Sequence, residues 1–208
     1  MAVTPDLLES VCHIVARRYA LAARSLTTKL LPIAGAEDRP WILRVAIQGA
    51  LSGVPASVIV KRAHGDTFDP LDPAHAAAWG FFPDWAGLRF LAGLGIAPEY
   101  LGGDMERGFV VMEDLQPSGD LCRALHSRET TRVGPMLARY AGTLGRLHAA
   151  TAGRLQEYRG CWSELAPQLP PPSPTSDLQD MPGRVETVLR EMGFTPDVAA
   201  MQELRGAA

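Results

Sequence analysis

The stretch that decides the fold is ASVIVKR, residues 56–62. Its run of β-branched residues predicts a strand. Side chains alternate along a strand, so Ser57, Ile59 and Lys61 share one face, while Val58 and its alternate neighbours share the other. A lysine among apolar side chains on a covered face needs an anionic partner, because an unpaired buried charge is unfavourable. Lys61 is therefore the first candidate binding residue.

Two interpretations of Lys61 remain open at this stage. The phosphates of a nucleotide would supply an anionic partner. Alternatively, the stem of the side chain lies on apolar surface and the ammonium group reaches water at the strand end. The chain contains only two lysines, Lys29 and Lys61, and otherwise uses arginine as its basic residue. This choice of lysine favours the first interpretation.

The rest of the chain shows strand patterns first and helix patterns afterwards. Residues favouring extended structure, bounded by Gly and Pro, predict strands at 28–33, 41–47, 56–62, 99–102 and 108–112. Apolar residues at helical spacing predict helices over 5–19, 74–94 and 129–152, and shorter ones over 121–125, 177–192 and 196–204. Gly80 and Pro83 are candidate breaks in the second helix. This order predicts an α+β fold.

Three segments in this order carry a resemblance to a known family. ASVIVKR is followed by PDWAGLRFLAGL (residues 83–94), and then by GFVVMEDL (108–115) with LGRLHAAT (144–151). Together they resemble the aminoglycoside phosphotransferase and choline-kinase-like enzymes, which share the protein-kinase fold. The resemblance implies a kinase-like N-lobe, a five-stranded antiparallel sheet plus one helix, followed by a truncated helical C-lobe.

This resemblance divides the chain into four segments. An N-terminal helix covers residues 1–26, and the nucleotide-binding N-lobe covers 27–116. The start of the helical C-lobe covers 117–166. Residues 167–208 form a Pro-rich linker and short terminal helices, since the PPPSP run within them cannot continue a helix.

The resemblance also assigns roles to five residues. Lys61 would bind the ATP phosphates, and Asp84 would orient that lysine as a Glu does in kinases. Alternatively, Asp84 follows Pro83 at a helix start and complements the helix dipole. Met112 would line the adenine pocket, and Glu113 and Leu115 would bind adenine through main-chain groups of the hinge. The loop at 34–40 resembles the phosphate-covering loop, although a plain turn explains its single glycine equally well.

The residues for catalysis have no counterpart in the sequence. The triplet His64-Gly65-Asp66 imitates the family's catalytic loop, but it follows the lysine strand directly, and Leu71 stands where the metal-binding Asn is needed. The whole chain contains no asparagine. We therefore expect a chain truncated before the catalytic loop, with weak ATP binding, no Mg²⁺ bound by this chain alone and no activity alone.

The implied intact enzyme would transfer phosphate to a small hydroxyl-bearing acceptor. The alternative is a non-catalytic interaction module, or one half of a split kinase-like protein. A helix over 129–152 with an uncovered apolar face would then meet another chain or a second copy.

Composition limits the remaining possibilities. A formal net charge of −3 gives no electrostatic basis for nucleic-acid binding. The N-terminal residues lack a signal-peptide pattern, and no apolar run reaches the roughly 20 residues that span a bilayer. Three widely separated cysteines suit a reducing compartment. The sequence thus predicts a cytoplasmic protein that binds neither nucleic acid nor membrane.

Overall fold

The computed structural model describes residues 4–31, 41–49, 52–63, 76–115 and 130–170, and the single helical positions 187, 190, 198, 199 and 202. The chain divides into two compact units, Met1–Leu169 and Pro170–Ala208. All elements named below belong to the first unit.

The described part of the first unit contains four α-helices and five strands. The helices are α1 (Pro5–Arg18), α2 (Ala76–Phe90), α3 (Thr130–Thr151) and α4 (Leu155–Leu165). The strands are β1 (Thr27–Leu31), β2 (Ile42–Gln48), β3 (Ser57–Arg62), β4 (Tyr100–Asp104) and β5 (Phe109–Glu113). The predicted α+β class is confirmed, and so are the five strands, each within two residues of its expected bounds.

The five strands form one antiparallel sheet in the order β1-β2-β3-β5-β4. In the register, Ile59 of β3 lies between Arg44 of β2 and Met112 of β5. Lys61 likewise lies between Ile42 and Val110. Because directly paired residues point to the same side, all of these side chains share one face of the sheet.

The opposite face, here the α1 face, carries the larger hydrophobic core. α1 begins with Thr4, whose hydroxyl accepts from the Leu7 N–H at 3.4 Å, followed by Pro5 at the first helical position. The helix buries one stripe against alternate residues of the strands. The buried members include Val11, Val15, Val45, Val58, Val60, Phe109 and Val111.

The face that carries Lys61, here the α2 face, is covered by α2 and α4. Phe82, Trp85 and Trp162 are buried there, and the rings of Phe82 and Trp162 meet edge to face with centroids 6.2 Å apart. The indole N–H of Trp162 donates to the carbonyl of Leu169 at 2.9 Å, so this buried polar atom is satisfied. The ring contact of Trp162 with Phe82 holds α4 against α2, and the hydrogen bond holds the chain after α4 against Trp162.

The structure differs from the sequence expectations at two helices. α2 runs unbroken through Gly80 and Pro83, because burial of Phe82 and Trp85 on both sides of the proline outweighs its local penalty. α4 was not predicted. Among the described residues, no helix is long and apolar enough to cross a membrane.

Candidate functional site

The structure joins Lys61 and Asp84, to which the sequence assigned the phosphate-binding and orienting roles. Lys61 Nζ donates to Asp84 Oδ2, forming an ion pair between β3 and α2. The two side chains keep 29% and 46% of their surface exposed. A pair that is this open to water contributes little to stability, on the order of 0–1 kcal/mol. Its ammonium group remains accessible to an anion that approaches from solution.

The alternative interpretation of Asp84 as a helix-start residue is wrong. α2 begins at Ala76, so Asp84 lies in its third turn and outside the reach of the N-terminal dipole. The sheet places Lys61 opposite this turn, and the two side chains meet there. The role of the pair in binding a nucleotide stays a prediction.

Apolar side chains surround Lys61 on the α2 face. Val110 is fully buried, whereas Ile42, Ile59 and Met112 are half-buried. Met112 contacts the cluster formed by α2 and α4. The covering helices therefore leave part of the apolar surface of β2 and β3 open beside the lysine.

α4 brings a tyrosine next to the ion pair. Burial raises the pKa of the Tyr158 phenol, and the negative charge of Asp84 raises it further. The ring of Tyr158 also packs edge to face on Phe90 of α2, with centroids 5.9 Å apart. α4 thus forms one wall beside Lys61 and Asp84.

The predicted hinge residues point in different directions. The Glu113 side chain lies on the α1 face, where its Oε2 accepts from the Glu99 N–H at 3.0 Å. Leu115 is 62% exposed. Neither side chain lies beside Lys61, and the binding of adenine by the main-chain groups of these residues stays a prediction.

Asp114, which stands between these two residues, has a buried side chain with several polar partners. Its side chain is only 2% exposed. Arg44 Nε lies 2.8 Å from Asp114 Oδ2, and Arg44 Nη2 donates to Oδ1 at 3.2 Å. The Ser57 hydroxyl donates to Oδ2 at 2.6 Å. This cluster ties the chain just after β5 to both β2 and β3.

Several sequence-based expectations lie outside the described residues. They concern the loop at 34–40, the triplet at 64–66, the short helix at 121–125, and all of the short helices at 177–192 and 196–204 except the helical positions 187, 190, 198, 199 and 202. Within the described ranges, no three His, Cys, Asp or Glu side chains are grouped closely enough to hold a metal ion. The expectation about Mg²⁺ stays a prediction.

Comparisons with protein-family models, with characterised proteins and with solved structures found no match to this chain. The assignment of a function therefore rests on the geometry of this site and on the sequence resemblance.

Sequence reasoning missed Arg44, which lies on the α2 face together with Lys61. A signal was present in β2, where ILRVAIQ alternates and Arg44 interrupts the face shared by Ile42 and Ala46. Such a residue needs a partner on that face. The partner, Asp114, is 70 positions away in the chain.

Proposed function

We propose that this chain is the nucleotide-binding module of a kinase-like small-molecule phosphotransferase. Lys61 binds the ATP phosphates and Asp84 orients its ammonium group. The main chain from Glu113 to Leu115 binds the adenine edge, and Met112 lines the pocket. The acceptor in an intact relative is a small molecule that bears a hydroxyl group.

One observation carries the proposal, the ion pair between Lys61 and Asp84. It joins a strand lysine to an acid in the middle of the next helix, which is the arrangement that kinases need to place a lysine on the phosphates. Half-buried Ile59 and Met112 lie on the same face and offer an apolar surface for a flat base.

The sequence limits what this module does by itself. Phosphoryl transfer depends on positioning and on Mg²⁺ electrostatics. The chain has no asparagine to hold the metal as the family does. We therefore expect nucleotide binding without phosphate transfer by this chain alone.

The test is calorimetric titration of ATP into the wild-type chain, Lys61→Ala and Lys29→Ala. Lys29 is the matched control, because it is the other lysine and is exposed on β1. We expect a wild-type dissociation constant of about 1 mM, near −4 kcal/mol. We expect a loss of binding in Lys61→Ala and little change in Lys29→Ala. Equal ATP affinity in the wild type and in Lys61→Ala would exclude the assigned role.

A second candidate function is a non-catalytic interaction module. The observation in its favour is the exposure of Leu137 and Tyr140 on α3, at 43% and 54%. Stable binding of another chain through α3 by a protein with no affinity for ATP would favour this candidate over the first.

A further inference from the structure

We propose that Arg44 is a specificity-determining residue whose guanidinium group stacks on the purine ring of the ligand. The proposal rests on the proposed nucleotide function and names the group that selects the base. Nothing in the family resemblance assigns a role to this residue.

The register places the guanidinium group over the open part of the α2 face. The backbone of Arg44 lies on β2 opposite Ile59. Its guanidinium group contacts Asp114, which follows the last residue of β5. Ser57 of β3 donates to the same carboxylate, so the head lies near the level of Ser57. The side chain therefore extends across β3 rather than out into water.

The carboxylate fixes the position of this flat group. Arg44 Nη2 donates to Asp114 Oδ1 at 3.2 Å, and Nε lies 2.8 Å from Oδ2 as an ion-pair contact without hydrogen-bond geometry. This charge-assisted contact holds the guanidinium group next to the carboxylate. Asp114 is itself held by Ser57 and is nearly buried, so its position is set before any ligand arrives.

The same contact decides which ligand chemistry suits the residue. Asp114 neutralises the charge of Arg44 and accepts a hydrogen bond from its Nη2, which leaves a poor site for a phosphate. A flat guanidinium group with 22% of its side chain exposed, flanked by half-buried Ala46 and Ile59, suits the face of an aromatic ring.

The distance to Lys61 matches a nucleotide. Ser57 and Lys61 are four residues apart on β3, which corresponds to about 13 Å along the strand. A base stacked near Ser57 would place a ribose and phosphate chain along β3 toward the ammonium group. The main-chain groups of the hinge on either side of Asp114 would lie at the edge of the same base.

The test measures the binding affinities for adenosine, inorganic triphosphate and ATP. They are compared between the wild-type chain, Arg44→Lys, Lys61→Ala and Arg18→Lys. Lysine at position 44 keeps a positive charge beside Asp114 but lacks the planar guanidinium group. Arg18→Lys is the matched control, because Arg18 pairs with Glu99 outside the α2 face. Saturation-transfer NMR detects weak adenosine binding, and thermal melts confirm that each variant is folded.

We expect Arg44→Lys to weaken adenosine and ATP binding by about fivefold to tenfold. Triphosphate binding should stay unchanged in Arg44→Lys and fall in Lys61→Ala. The inference is overturned if wild type does not bind adenosine, or if Arg44→Lys binds it as well as wild type does. If Arg44→Lys does not fold, equal wild-type affinity for ATP and for inorganic triphosphate overturns it instead. An ATP affinity of Lys61→Ala equal to that of wild type overturns the proposed function. In that case the adenosine affinities of wild type and Arg44→Lys still decide the role of Arg44.

Discussion

Asp84, in the third turn of α2, forms an ion pair with Lys61, one residue before the end of β3. The pair is too exposed to be explained by stability. A helix acid that holds a strand lysine in place is instead useful when the lysine must meet a ligand in one orientation.

Asp84→Asn should therefore weaken ATP binding several-fold while it changes the free energy of unfolding by less than about 1 kcal/mol. Glu164→Gln is the matched control, because Glu164 of α4 forms an ion pair with Arg89 of α2, and this pair does not include Lys61. ATP titration and thermal melts on both variants give the two quantities. An ATP affinity in Asp84→Asn that equals the wild-type value would contradict the orienting role.

Unlike Asp84, Asp114 should contribute clearly to the free energy of unfolding, since its carboxylate is nearly buried. Asp114→Ala leaves Arg44 without its carboxylate and removes an acceptor from Ser57. We expect a loss of about 2–3 kcal/mol in unfolding free energy, below the roughly 3–5 kcal/mol for a fully buried pair, because Arg44 keeps some contact with water.

Urea denaturation of Asp114→Ala and of Glu157→Ala measures this difference. Glu157 pairs with Arg154 on the surface of α4, so its removal should lower the free energy of unfolding far less than the removal of Asp114 does. Equal losses in the two variants would show that the Asp114 cluster does not hold the hinge to the sheet.

Gly103 of β4 sets how closely α2 approaches the sheet. A Cβ at this position would lie 2.7 Å from Cη2 of Trp85, a buried residue whose indole N–H donates to the Tyr100 hydroxyl at 3.2 Å. Gly103→Ala should destabilise the fold by about 1–3 kcal/mol through overpacking. It should also weaken ATP binding, because Asp84 precedes Trp85.

Gly87→Ala in α2 is the matched control for Gly103→Ala. Apart from the local backbone of α2, nothing lies within 4 Å of its added Cβ, and alanine in a helix interior should stabilise by about 0.5–1 kcal/mol. Melting temperatures that move in opposite directions agree with the structure. A rise of the melting temperature in both variants would mean that Trp85 moves to accommodate the new Cβ without a loss of stability.

The strands were predictable because their alternation is local. Val58 and Val60 are fully buried and Lys61 is half-buried, as the pattern of β3 indicates. The contact of Arg44 with Asp114 was not predictable, because it depends on the register of β2 on β3 and on the position of β5. Local rules also failed at Pro83, where the buried side chains of α2 decide the outcome.

The last prediction concerns α3, whose apolar stripe is only partly covered. The stripe consists of Val133, Leu137, Tyr140, Leu144 and Leu147. Leu137 and Tyr140 are exposed, and the other three are half-buried. Burying one such side chain contributes roughly 1.5–3 kcal/mol. We therefore expect the chain to self-associate through this stripe at high concentration.

The double variant Leu137→Glu/Tyr140→Glu should shift the light-scattering mass toward the monomer and reduce the binding of an apolar dye. Ala138→Glu/Ala149→Glu is the control, because these exposed alanines lie about 140–160° around α3 from the stripe at 100° per residue. It adds the same charge and should leave the mass unchanged. A wild-type chain that stays monomeric and binds no dye would show that the stripe is covered within one molecule.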